Sequence, residues 1–206
     1  MPEVLQRSSG HRIVFWSECG FVSIMAIRAL VVFGPVLPHH PEVSLFLAAE
    51  IISMVLVLMQ RKGVVSPRAW PQFLGFVGSS LALLLRENSE QLAPEAVTGL
   101  MIFAGAMISI GAKLSLGRSF GIVPANRGVR TIGLYRAVRH PMYLGYMVTH
   151  AGMLLLFPSL WNIALIATCW LLLVLRIREE EKVLMLDPDY RAYAEQVRSR
   201  LLPGIY

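Results

Sequence analysis

Apolar residues along this chain arrive in runs rather than in alternation. Several runs are about as long as the roughly 20 residues that cross a bilayer core as a helix. Six helical segments are predicted. The first runs from about Arg12 to Phe33 and the second from about Glu42 to Gln60. Between them lies a Pro- and Gly-rich turn, Gly34 to Pro41, and both residues punctuate local structure strongly. A third runs from about Arg68 to Leu85 and a fourth from about Pro94 to Lys113. The fifth spans Pro141 to Phe157, and the sixth follows Pro158 and ends near Leu175. The last two are short, so a tilted hairpin or one broken helix is the alternative, which lowers the count to five. Beyond them Arg176 to Tyr193 reads as a charged helix broken at Asp187-Pro188, because proline lacks an N–H and restricts its predecessor. Tyr190 and Tyr193, three apart, then share one face of a short final helix.

Composition agrees with this pattern. The chain has 206 residues, 55% of them hydrophobic and only 16% charged. Soluble domains average about 45–50% apolar and about 25% charged. Mean hydropathy is +0.59. The expected fold is all-α, a polytopic integral membrane protein of five to six transmembrane helices forming one domain over residues 1–206.

Charge orients the helices. The net charge of +6 is not read as nucleic-acid binding, because Lys and Arg gather in the cytoplasmic loops of membrane proteins and meet anionic lipid headgroups there. Arg7 and Arg12, then Arg61, Lys62 and Arg68, then Lys113 through Arg139, and finally the tail from Arg176 to Arg200 fall on one side if all six segments cross. The opposite loops hold Glu42, Glu87, Glu90 and Glu95 with only Arg86 as a clear cation. Both termini are therefore expected in the cytoplasm. The first run contains Glu18 and Arg28 and does not read as a signal peptide. Cys19 and Cys169 give neither a disulfide framework nor a metal motif, and His39-His40 lacks further ligands at metal spacing.

Two segments stand out as chemistry. Arg139-His140-Pro141 opens the fifth helix, after a long Gly- and Arg-rich loop, Leu114 to Arg139, of the kind that is usually functional or disordered. Glu179-Glu180-Glu181 leaves the sixth. Taken singly, each has a plain structural explanation. Proline favours a first helical turn, interfacial Arg and His snorkel to water, and a charge run is usually a solvated face. Three successive helical residues point about 100° apart, however, so at least one glutamate is expected to face the protein. Arg28 and Glu50 are expected to form a structural ion pair, since charges inside membranes commonly pair. His150 is expected to be hydrogen-bonded within the bundle. Met101, Met107, Met142, Met147 and Met153 read as packing or lipid-facing residues.

Arg-His-Pro-x-Tyr-x-Gly at 139–145, a hydrophobic hairpin, Arg-Ile-x-x-Glu-Glu-x-x-Leu at 176–184, Asp-Pro-x-Tyr-x-x-Tyr at 187–193 and a terminal Arg-Leu-x-Pro-Gly together resemble the isoprenylcysteine carboxyl methyltransferases and their wider phospholipid N-methyltransferase relatives. The resemblance covers roughly Gly117 to Tyr206. It implies a methyltransferase that uses S-adenosylmethionine (SAM). The N-terminal helices would occupy 1–113 and a catalytic, cofactor-binding region at the cytoplasmic face 114–206. It further implies that His140, Tyr143 and Gly145 help to form the cofactor pocket. Glu180 would bind the cofactor amino group with Glu181 beside it, and Arg200 would be a candidate contact for its carboxylate. Arg139 would lie where cofactor meets acceptor, and Arg139 and His140 are the catalytic candidates; no metal is implied. The acceptor would be a lipophilic, isoprenylcysteine-like carboxylate reaching the site from the bilayer. S- or N-methylation of a thiol, amine or phospholipid is the alternative, with His140 as the candidate base. A non-catalytic membrane protein or small transporter using Arg28, Glu50 and His150 is the remaining one. Oligomeric state is not readable from the sequence.

Overall fold

A computed structural model describes residues 2–39, 41, 43–66, 68–87 and 90–204, with side chains from residue 12 onward except at 43 and 46. His40 and Glu42, both named above, lie outside the described residues, as does the side chain of Arg7. Seven α-helices form among the described residues: α1 (Pro2–Phe33), α2 (Val43–Leu58), α3 (Ala69–Ser80), α4 (Glu95–Leu116), α5 (Pro141–Leu156), α6 (Leu160–Leu184) and α7 (Pro188–Gln196).

Each of the six apolar runs is helical. Three segments, Arg12–Val36, Glu95–Ser119 and Leu160–Leu184, have the length and hydropathy to cross a membrane; Leu47–Leu58 and Ala69–Leu84 are apolar but shorter. Large apolar side chains such as Trp16, Ile24, Leu100, Leu160 and Leu171 lie exposed on the outer surface, as expected where the solvent is lipid. The sixth helix continues past Leu175 into the charged segment expected to prolong it. It runs unbroken to Leu184 and carries the whole glutamate cluster on its last turns. Asp187 then caps α7 by accepting from the Asp189 N–H at 2.9 Å, with Pro188 as the first helical residue.

The tightest helix pair is α4 with α5, and glycine makes it possible. A Cβ on Gly145 would sit 2.5 Å from Ser109 N and 2.7 Å from Gly105 O; one on Gly105 would sit 2.5 Å from Thr149 N. Backbones approach this closely in membrane bundles only where small residues face each other. Gly145 thus faces α4, where its lack of a side chain lets α5 seat. Gly145→Ala is expected to lower thermal stability by about 1–3 kcal/mol, since backbone atoms cannot yield as a side chain does. Detergent melting curves read this directly.

At the other end of the hairpin the fully buried Asn162 ties the turn together. Its amide donates to Phe157 O at 2.6 Å and Arg86 O at 2.9 Å, and its Oδ1 accepts from Arg86 N at 3.1 Å. The expected Arg28–Glu50 pair is absent. Arg28 is exposed, and the charge facing Glu50 is Lys113. Lys113 is fully buried because its own ammonium is satisfied by Ser53 Oγ at 2.6 Å and Ala49 O at 3.0 Å. Cys19 and Cys169 are free and buried.

Candidate active site

The loop between α4 and α5 is ordered by contacts that begin far from it in sequence. Gly117, at φ +51°, ends α4 in a conformation glycine alone adopts readily. Ala125 and Asn126 then pair antiparallel with Val65 and Val64, a two-residue ladder with no visible sequence signal. Glu18 of α1, 1% exposed, accepts from the N–H groups of Ile122 and Val123 at 2.8 and 2.6 Å. It also receives Arg127 Nη2 at 3.2 Å and Gln60 Nε2 at 2.8 Å. From the opposite side Arg176, also buried, donates to Ile122 O at 2.7 Å and to Ser79 Oγ at 2.9 Å. One short piece of backbone is therefore gripped at both its N–H and its C=O ends by buried charges.

The C-terminal tail closes the site by backbone pairing. Arg139 N donates to Ser199 O at 3.0 Å, and His140 N to Arg200 O at 2.8 Å. This pairing sets Arg200 against Glu181, Nε to Oε2 at 2.7 Å. Glu181, 5% exposed, also faces His140 Nε2 at 3.2 Å and Arg139 Nε at 3.1 Å. The Arg139 contact is one of charge only: the N–H is misdirected, and the buried Nε has no hydrogen-bond partner. Glu180 faces a second set. It accepts from the Tyr143 hydroxyl and from Arg176 Nε at 3.2 Å, and its Oε2 lies 3.9 Å from His140 Nδ1. Glu179 pairs with the exposed Lys182 instead. The three glutamates thus meet three different sets of partners, as the roughly 100° helical step requires.

These elements surround a cleft that is partly open to solvent. Arg139, His140, Tyr143 and Glu180 line it, together with the Gly121–Arg130 loop, Tyr190 and Tyr193. Glu181 and Arg200 stand behind this lining as a charge-paired support, and Gly145 is outside it. Glu18, Arg127, Arg176 and Tyr190 were not among the sequence-derived site residues. Glu18 and Arg127 meet only through tertiary structure. Arg176 and Tyr190 belong to the quoted motifs, so their positions were visible although their roles were not.

Two features show that the cleft suits a polar ligand. The buried Tyr190 hydroxyl and Arg127 Nε lack partners, so donors remain for an incoming molecule. Four guanidinium groups (Arg127, Arg139, Arg176, Arg200) face three carboxylates (Glu18, Glu180, Glu181), and Arg130 also lines the cleft, so positive charge is in excess. Burial pushes the Tyr193 phenol up to about 12, so it stays protonated and keeps donating to Tyr135 O at 2.6 Å. Tyr193→Phe is expected to cost about 1 kcal/mol of stability through that lost hydrogen bond, read by thermal melting.

The far rim is pinned by Asp187, which accepts from Asn126 Nδ2 at 2.6 Å. That hydrogen bond, then the one from Asp189 N–H, holds its carboxyl below the usual carboxylate range. The stabilisation is present above the ordinary aspartate value near 4 and is lost as pH falls through the lowered folded value. Melting temperature is expected to fall over that acid window in wild type, and by less in Asp187→Asn.

The exposed apolar girdle and the charged cleft at one end of a helical bundle define an integral membrane protein with a polar ligand site. Residues 97–186 match the model of the isoprenylcysteine carboxyl methyltransferase (ICMT) family. The solved structure of the eukaryotic intramembrane Ras methyltransferase ICMT is similar in fold. It is 18% identical, with a TM-score of 0.53 over 91% of this chain and 74% of that one. No curated protein matches the chain.

Proposed function

We propose that this protein is a SAM-dependent carboxyl O-methyltransferase acting on a lipophilic, isoprenylcysteine-like acceptor. We further propose a single membrane domain crossing the bilayer with five to six helices, both termini and the cleft facing the cytoplasm. The carrying observation is the paired-glutamate arrangement, in which Glu180 lines the cleft and Glu181 organises Arg139, His140 and Arg200.

Glu180 is suited to hold the cofactor's ammonium, by a charge-assisted hydrogen bond that Tyr143 and Arg176 orient. Tyr190 and Arg127 offer unpaired donors to the cofactor's acceptor groups. When bound, the cofactor supplies an electrophilic methyl on a cationic sulfonium. The acceptor carboxylate is ionised at neutral pH and needs no general base. Arg139, whose Nε lacks a hydrogen-bond partner, is suited to orient that carboxylate with its planar fork. The C–O bond forms as the C–S bond breaks, its electron pair going to sulfur, and no proton moves. Positioning supplies much of the acceleration in such a displacement. Both imidazole nitrogens of His140 already face carboxylates, which favours a positioning role over the base that thiol or amine methylation needs.

The test is transfer of labelled methyl from SAM to N-acetyl prenylcysteine by the protein in nanodiscs. A product whose label is released as methanol in mild base supports the ester. No ester from this acceptor, whose sulfur and nitrogen are both blocked, together with a base-stable methyl product from a free lipophilic thiol or amine assayed in parallel, contradicts O-methylation and supports that alternative.

A further inference from the structure

A second chamber lies behind the cleft, deeper in the bundle. It is partly open and is lined by Phe21, Met25, Glu50, Tyr146, His150 and Leu173 among others. Ile122 lines it while its neighbours Gly121 and Val123 line the cleft, and the Tyr143 and Tyr146 rings, one on each side, are 6.2 Å apart. The two spaces share a wall one residue thick.

Phe21, Val22, Met25, Ile122 and Leu173 give this chamber an apolar side, as a lipid chain requires. Ser53, Ser79, Tyr146, Glu50 and His150 are polar, and the last two are the ionisable acid and base among them. Glu50 and His150 both face it, and both also line a smaller adjoining void. His150 is 5% exposed and its Nδ1 has no hydrogen-bond partner, contrary to the expectation that the bundle satisfies it. No described residue donates a hydrogen bond to Glu50. Its charge is opposed by Lys113, whose ammonium is itself occupied by Ser53 and Ala49. Charge is therefore balanced here while hydrogen bonding is not. Unmet polar groups at this depth are costly and mark ligand positions more often than lipid-packing ones.

We propose that this chamber receives the acceptor's tail and that Glu50 and His150 recognise a neutral hydrogen-bonding group on it, a hydroxyl or an amide. A cation is disfavoured because Lys113 already supplies the counter-charge. His150 lies nine helical residues beyond Pro141, which follows Arg139-His140 directly, about 14 Å at 1.5 Å per residue. The recognised group therefore stands about 14 Å from the carboxylate that Arg139 orients, and an unbroken hydrocarbon chain leaves both residues unpartnered. This proposal rests on the acceptor reading above and narrows its substrate class.

The experiment compares two synthetic thioether carboxylates in nanodiscs, alike except that one bears a mid-chain hydroxyl about 14 Å from the carboxylate and the other a methyl. Equilibrium binding and methyl transfer are both measured. Wild type is expected to bind the hydroxylated chain about tenfold more tightly, the scale of one hydrogen bond made in place of none. Glu50→Leu and His150→Phe are expected to reduce that preference to near unity while the methyl chain binds as before. Equal binding of the two chains by wild type, or a preference that survives both substitutions, overturns the proposal. Because binding is read without turnover, a retained preference with no methyl transfer supports the chamber while contradicting the methyltransferase reading.

Discussion

Glu180→Ala is expected to weaken SAM binding about 100-fold and also to lower melting temperature, because the buried Arg176 loses its ion-pair partner. Glu180→Gln, which keeps an acceptor for Arg176 and Tyr143, distinguishes the two effects. Glu180 lines the cleft and is only partly buried. What it removes is an anion held in place by the Tyr143 hydroxyl and by Arg176. A hydrogen bond to a charged group contributes about 1.5–3 kcal/mol, or roughly 10- to 150-fold in affinity. The upper part of that range applies here because the carboxylate is already oriented before ligand arrives. Tyr143→Phe loses only the orienting hydroxyl and is expected to weaken binding about fivefold, a neutral hydrogen bond's share. Titration of SAM into each variant separates the two. Equal affinity in Glu180→Ala and wild type would place the cofactor ammonium elsewhere.

The second large effect is predicted at a residue outside the family-matched segment. Glu18→Ala leaves the Ile122 and Val123 N–H groups unsatisfied and strips the buried Arg127 of its counter-charge. Breaking a buried pair by removing one partner costs about 3–5 kcal/mol. Glu18→Gln keeps a carbonyl for the two amides but not the charge, so it is expected to fall between alanine and wild type in melting temperature. The cofactor loop also loses its anchor, so SAM affinity is expected to fall further than in variants of equal stability elsewhere in α1. If Glu18→Ala melts and binds SAM as wild type does, the loop is held by Arg176 and the two-residue ladder alone.

What the sequence made legible follows physical range. The six helices were readable because burial in lipid demands long apolar runs, and Asp187-Pro188 because a proline ends a helix by local chemistry. The glutamate sorting was half readable: helical geometry requires that one of three face inward, and the motif register selected Glu180 and Glu181. Contacts between distant segments were not readable. Glu18 looked like any lone charge in an apolar run, because its four partners come from residues 60, 122, 123 and 127. Arg28 was paired with Glu50 on depth alone, but rotation about the helix axis leaves Arg28 exposed and turns Glu50 toward Lys113. Depth along a helix is set by counting residues; azimuth is set by packing. Gly145 lay in the quoted motif for the same reason that α4 and α5 touch, and its contact is with backbone.

The most direct test of the central claim is hydrogen–deuterium exchange of the wild-type protein in nanodiscs with and without SAM. The loop from 119 to 130 and the segment carrying Tyr190 and Tyr193 line the cleft. SAM is expected to slow exchange in both, and the loop joining α1 to α2 is expected to be unchanged. Unaltered exchange in both lining segments of a folded protein, at SAM concentrations that saturate a methyltransferase, would contradict the assignment of this cleft as the cofactor site.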